Sequence, residues 1–371
     1  MRPTFAEINL DALQHNAEQI RRRVGNEIKL LAVVKAEAYG HGAQMISQYL
    51  EPFVDYFGVA TVTEGLKLRR SGMKKPIAVF GGFYPGEEEL LLKEKLEPAI
   101  FTLHQMKDLS LFAHRSGRRI PVHIKIDTGL GRLGFPWKRL RELKTSMDFK
   151  GLEVKSAFTT LASAAGEGKP SVEVQRKRFD EAVSELNGRF EFEFLHIANS
   201  AALLAGEQNY YSMVRPGLLF YGISPFGDGI SGFQPVMRYV TEIIYLKEVP
   251  SGTPLGYNGT FVTKRRSLIA TVPAGYDDGI PRVLSNRGFM FVKGKRAPIV
   301  GAVSMDLTLL DVTDIDGVKV GDEVVFFSNS SQIWEISRLS NTIPYEILCK
   351  IGRRVTRVYL SGGEIVGRKE L

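Results

Sequence analysis

The chain has 371 residues, enough for two or three domains of about 150 residues each, and its 44% hydrophobic and 24% charged composition excludes a largely disordered protein. No uncharged apolar run reaches the roughly 18 residues needed to span a membrane. The net charge of +8 comes partly from short basic runs, Arg21–Arg23 and Arg176–Arg178. Each lies in a segment of helical spacing and reads as a solvated helix face rather than a nucleic-acid surface.

From residue 30 to 225, short apolar runs alternate with amphipathic segments. The runs are Leu30–Val34, Tyr56–Val62, Pro76–Phe80, Leu96–Phe101, Val122–Asp127, Val154–Leu161, Phe194–Ala198 and Val214–Gly222. Thr63–Arg70 and Gln175–Leu186 are examples of the helical segments between them. About eight strand–helix units predict a (β/α)8 barrel, with an open doubly wound sheet as the rival architecture. Beyond Pro225 the texture becomes β-rich: Tyr239–Leu246, Ser267–Val272, Phe289–Val292, Ile299–Val312, Glu323–Phe327 and Arg354–Leu360 read as strands. Helices are expected there only around Ile333–Leu339 and Tyr345–Lys350. The predicted organisation is a barrel domain over 1–230 and a mostly β domain over 231–371. A lone Cys349 excludes an intramolecular disulfide, and the first ten residues lack a signal peptide's apolar core, so a soluble cytoplasmic protein is expected.

Lys35 closes the first apolar run. At the C-terminal end of a barrel strand, a partly desolvated lysine can attack a carbonyl as a neutral amine. On position alone, a solvent-reaching lysine is the plainer reading. Gly129-Leu-Gly131-Arg-Leu-Gly134 formally matches a dinucleotide-binding loop, but Pro136 would break the helix that must follow, which argues against a nicotinamide site. The six histidines and one cysteine contain no metal-binding pattern, and His123 and His196 read as packed, hydrogen-bonded strand residues.

Several segments in order resemble the alanine racemase family of pyridoxal-phosphate (PLP) enzymes. They include Ala6–Leu10, Ala32-Val-Val-Lys35-Ala-Glu-Ala-Tyr39-Gly-His-Gly42, His123–Gly134 and His196-Ile-Ala-Asn199-Ser200. Val214-Arg215-Pro-Gly217, Gly256-Tyr257, Gly275–Gly279, Met305-Asp306 and Thr342–Glu346 complete the set. The resemblance implies a homodimer with shared active sites that interconverts L- and D-alanine, supplying D-alanine for peptidoglycan. A broader amino-acid racemase and a non-catalytic PLP-binding protein are the alternatives.

By the same resemblance, Lys35 is the Schiff-base lysine and one acid/base, and Tyr257, reaching into the partner's site, is the other. Arg215 faces the pyridine nitrogen. Arg132 lies near the ring hydroxyl and the substrate carboxylate, and Lys125 matches a lysine often carbamylated. Tyr39, Ser200 and Tyr345, with the amides of Gly217 and Leu218, would hold the phosphate. Met305 would offer its N–H to the substrate carboxylate, and Tyr276 and Arg282 would line the entrance. Two departures stand out. Thr160 replaces a histidine that links the tyrosine to the arginine, so weaker activation of Tyr257 is expected. Ala165 replaces an acidic entrance residue, which leads to the expectation of a wider substrate range.

Overall fold

The computed structural model describes residues 2–146, 149–164, 170–227 and 229–371. They fall into two compact units, each discontinuous in sequence. One comprises Ala17–Ala38 and Ala43–Phe220; the other comprises the chain up to Asn16, Tyr39–Gly42 and Tyr221–Leu371.

In the first unit, eight parallel strands neighbour one another in the order Met213–Val214, Lys29–Val33, Tyr56–Val59, Ile77–Val79, Leu96–Ile100, Ile120–Asp127, Leu152–Phe158 and Phe194–His196. The ends of this series meet. Ser212 N–H donates to the Leu195 carbonyl at 3.2 Å and Arg215 N–H to that of Ala198 at 2.8 Å, so the sheet closes as the predicted barrel. The strands are short apolar runs because both faces are covered. Leu30–Val33, all of Ile77–Val79 and all of Leu96–Ile100 are buried. Helices start where a side chain can cap them: Thr61, Thr102, Ser171 and Asn199 each accept an N–H from the first turn.

Two apolar runs are shorter as strands than their hydrophobicity suggested. Val214–Gly222 contributes only Val214, the second residue of strand Met213–Val214, because Pro216 has no N–H for the ladder. The run Ile299–Val312 contributes Thr308–Asp311, since Ser304 N–H turns back onto the Leu307 carbonyl at 3.0 Å.

The second unit holds a seven-stranded mixed sheet and a separate three-stranded sheet. Within the larger sheet, strand Phe5–Asn9 pairs antiparallel with the central strand Met237–Glu242 and parallel with Thr356–Ser361. The sequence reading assigns residues 1–230 to the barrel, yet this first strand pairs in the second unit's sheet. Ala6 and Ile8 are fully buried there, and a five-residue strand does not announce in sequence which sheet will pair with it. Helices Ser330–Leu339 and Pro344–Cys349 lie where two were expected.

Candidate active site

The barrel unit carries its polar residues at the C-terminal ends of the strands, where the loops after parallel strands gather functional groups. Lys35 follows Lys29–Val33, Thr160 follows Leu152–Phe158, Ser200 follows Phe194–His196, and Arg215 and Gly217 follow Met213–Val214. Lys35 and Arg215 come from adjoining strands, joined where Val33 N–H donates to the Pro216 carbonyl at 3.1 Å.

Directly after Lys35 the backbone turns left-handed. Ala36, Glu37, Ala38 and Tyr39 all have φ between 51° and 53°. Such a turn costs an L-residue roughly 1–2 kcal/mol per position. Acidic side chains hold it in place. Glu64 accepts the N–H of Ala36 at 2.8 Å and of Ala60 at 2.7 Å, while Glu37 pairs with Lys67 at 2.9 Å and accepts the Ala43 N–H. Ala36 is exposed, so its methyl adds strain with little packing in return. Ala36→Gly is therefore expected to raise stability by roughly 0.5–1 kcal/mol, read as a higher urea midpoint at unchanged slope. A lower midpoint would mean that the turn is not strained.

Lys125 is buried within Ile120–Asp127, and its amine lies 5.6 Å from the centre of the Phe158 ring. Burial, then Arg132, Arg215 and Lys35, push its pKa down to about 8, with Asp127 opposing. The unfolded lysine titrates near 10.4. Between about pH 8 and that value the unfolded state therefore binds more protons, and stability rises with pH. The stability of the parent relative to Lys125→Met is expected to improve across this window and to stay flat below it. A difference that does not change with pH would refute the shift.

Arg215 is buried and pulled by desolvation down to about 9, so its guanidinium stays charged at neutral pH. It donates to His196 Nδ1 at 2.7 Å and to the carbonyls of Thr159 at 2.7 Å and Ile197 at 3.3 Å. Ser200 is buried at the start of helix Ser200–Ala205. Its oxygen accepts the N–H groups of Gly217 at 2.9 Å and Leu219 at 3.4 Å, which leaves its O–H to donate. Arg132 is exposed on a loop folded around Asp127, whose carboxylate accepts the N–H groups of Gly129 and Gly131. The pair Phe135–Pro136 follows as a short strand rather than a phosphate-binding helix, so the Gly129–Gly134 match is a turn. Thr160 is half-buried, and its carbonyl accepts from Gln175 Nε2 at 3.2 Å. Ala165 lies outside the described residues.

In the second unit, the buried Tyr39 ring packs 5.6 Å from Tyr345, and burial raises both phenols, Tyr345 to about 12. Gly40 is needed beside them: its φ is +81°, and a Cβ would lie 2.2 Å from the Leu348 carbonyl oxygen. Tyr257 sits on a single 3-10 turn and is 70% exposed; Met305 is 51% exposed. Arg282 and Tyr276 line one cavity of about 530 Å³ with Thr342 and Glu346. The sequence reading missed Asp278 as a distinct feature, although it is fully buried and accepts from Arg2, Arg354 and the Gly275 N–H. It also missed Glu97 and Ser156 in the barrel. A carboxylate inside an otherwise apolar strand was the available signal for Glu97.

A family model described as alanine racemase, N-terminal domain, matches residues 8–225, and the alanine racemase C-terminal domain model matches residues 236–359. The chain belongs to the alanine racemase family. It is 40% identical over 375 residues to alanine racemase 2 of Caldanaerobacter subterraneus subsp. tengcongensis, covering 98% of this chain and 97% of that one. Among solved structures, alanine racemase of Clostridium difficile 630 superposes with a TM-score of 0.92 at 32% identity, covering 99% and 98% of the two chains. The Bartonella henselae alanine racemase, solved with covalently bound pyridoxal phosphate, superposes with a TM-score of 0.90 at 30% identity over 97% of this chain and 100% of that one. Among the described residues, no helix is long and apolar enough to cross a membrane, and no group of three or more His, Cys, Asp or Glu side chains could hold a metal ion.

Proposed function

We propose that this racemase-family chain interconverts L- and D-alanine with PLP as cofactor, and so supplies D-alanine for peptidoglycan. The observation that carries the reading is the convergence of Lys35, Lys125, Arg132 and Arg215 in one barrel, close enough for the other three to depress the Lys125 pKa. The residues fit the cofactor. The buried Ser200 hydroxyl beside the Gly217 backbone amide suits a phosphate, and the cations suit a phosphate ester and a substrate carboxylate.

When bound, PLP supplies the electron sink that makes the amino acid's Cα–H acidic. The protein's tasks are to hold, orient and move protons. Lys35 Nζ anchors the cofactor and handles the proton on one face of Cα. The Tyr257 hydroxyl handles the opposite face, a division that inversion requires. Arg215, charged at neutral pH, would face the pyridine nitrogen and disfavour its protonation, which limits side reactions. Ser200, Gly217 and Leu218 would hold the phosphate, and the family resemblance adds the hydroxyls of Tyr39 and Tyr345. Arg132 orients the substrate carboxylate, and the N–H of Met305 meets it from a second copy of the chain. The exposure of Tyr257 and Met305 in the single chain supports their delivery to a partner in a homodimer.

The test is proton NMR of the PLP-loaded protein with L-alanine in D2O, combined with chiral analysis. Loss of the Cα–H signal with D-alanine appearing is the expected result. Exchange with chirality retained would remove Tyr257 from its role, and no exchange would overturn the alanine reading.

A further inference from the structure

Strand Leu96–Ile100 is buried at every position, yet its second residue is a glutamate only 7% exposed. A carboxylate in such a place must be compensated. Tyr56 hydrogen-bonds to it, and His123 Nε2 lies 3.0 Å from its Oε2. The contacts continue across neighbouring strands. His123 Nδ1 is 2.7 Å from Ser156 Oγ, Ser156 Oγ is 2.9 Å from His196 Nε2, and His196 Nδ1 is 2.7 Å from Arg215 Nη1. His123, Ser156 and His196 are each no more than 1% exposed.

Donor and acceptor chemistry fixes the direction at Arg215, and one unbroken direction then runs through the rest of the line. A guanidinium can only donate, so His196 Nδ1 must accept and its proton resides on Nε2. That N–H donates to Ser156 Oγ. The Ser156 hydroxyl then donates to His123 Nδ1, which leaves the His123 Nε2–H for the Glu97 carboxylate. The chain runs one way from a cation to an anion, and no donor faces another. Burial and then Arg215 hold His196 well below its ordinary range, in agreement with a neutral ring.

We infer that Glu97 is a positioning residue for Arg215, acting through His123, Ser156 and His196 to keep His196 in the one tautomer that can accept the guanidinium. Without the Ser156 hydroxyl the buried His196 Nε2–H loses its acceptor, and Arg215 alone is left to hold the proton off Nδ1. A proton on Nδ1 would turn the 2.7 Å contact into two opposed donors and push Arg215 out of place. Phe158 reinforces the arrangement: its ring stacks on His196 at 5.0 Å and 10°, and Arg215 Cζ lies 5.4 Å from its centre. The inference rests on the proposed function only for what Arg215 does to the cofactor.

The test uses 15N-histidine NMR of the cofactor-free protein with Ser156→Ala and Glu97→Leu. The parent should show His196 and His123 as single Nε2–H tautomers. Ser156→Ala should give a mixed His196 tautomer, and Glu97→Leu should disturb His123 and, through it, His196. In the PLP-loaded enzyme, both variants should convert the cofactor to its amine form, with release of keto acid, about tenfold more often per racemisation turnover. An unchanged His196 tautomer in either variant would overturn the relay. Altered tautomers with an unchanged amine-form ratio would overturn its hold on Arg215. The NMR arm decides the relay whether or not the parent racemises alanine, so its failure is distinct from failure of the racemase reading.

Discussion

Lys35→Ala and Tyr257→Phe are each expected to lower alanine racemisation by at least about 10³-fold, because each removes one of the two groups proposed to act on opposite faces of the same carbon. The two variants should differ in what survives. Tyr257→Phe retains Lys35, so exchange of the L-alanine Cα–H should persist with chirality retained. Lys35→Ala should lose exchange altogether, together with covalent retention of the cofactor after gel filtration. Tyr257 is exposed on its own turn, so removing its hydroxyl should not change the urea midpoint. Mixing the two inactive variants under subunit exchange should restore activity that neither has alone, since one site of the mixed dimer then carries both groups. Activity absent from the mixture would refute the shared site, and near-parental activity in either single variant would refute the assigned roles.

Asp278→Asn is expected to destabilise the protein by about 1.5–3 kcal/mol at neutral pH, the cost of losing charge-assisted hydrogen bonds between a buried carboxylate and two partly exposed arginines. The carboxylate is fully buried. Arg2 Nη2 donates to it at 2.7 Å, Arg354 Nε at 2.8 Å, and the Gly275 N–H at 2.8 Å. Burial by itself would raise its pKa, but these donors outweigh burial and hold it below the ordinary carboxylate range. The sign follows from linkage. The stabilisation is fully present above the unfolded value near 3.9 and is lost as pH falls through the lower folded value. The gap between parent and Asp278→Asn urea midpoints should therefore close in acid.

The same cluster organises a loop carrying candidate site residues, because Arg354 Nη2 also donates to the Met305 carbonyl at 3.1 Å. Gly275 lies under that loop with no room for a side chain: a Cβ would fall 2.3 Å from the Met305 carbonyl oxygen. Asp278→Asn should accordingly raise KM for alanine more than it lowers kcat, through the displaced Met305. A stability loss smaller than about 1 kcal/mol would show that the two arginines find other partners.

Much of this was legible in order along the chain. Apolar runs separated by helical segments specify a barrel because each parallel strand, covered on both faces, must be apolar over nearly its whole length. Lys35 was legible as the polar residue ending such a run, and the remaining family positions by their order. The relay was not. Glu97, His123, Ser156 and His196 stand on four different strands; the carboxylate in an apolar strand marks Glu97 as unusual, but nothing local links it to the other three. Nor was the left-handed turn at Ala36–Tyr39, since alanine and tyrosine carry no local preference for positive φ.

The linear sequence determined the fold class, the family, and which side chains are available for chemistry, because periodicity, turn residues and motif order are properties of neighbours along the chain. Tertiary structure decided the rest. It placed strand Phe5–Asn9 in the second unit's sheet, set the ionisation of Lys125 by surrounding it with cations, and aligned five side chains in one hydrogen-bonded line from Arg215 to Glu97. Those outcomes depend on desolvation and on distances of 2.7–3.0 Å between residues 19 to 40 positions apart, which arise only when the barrel closes.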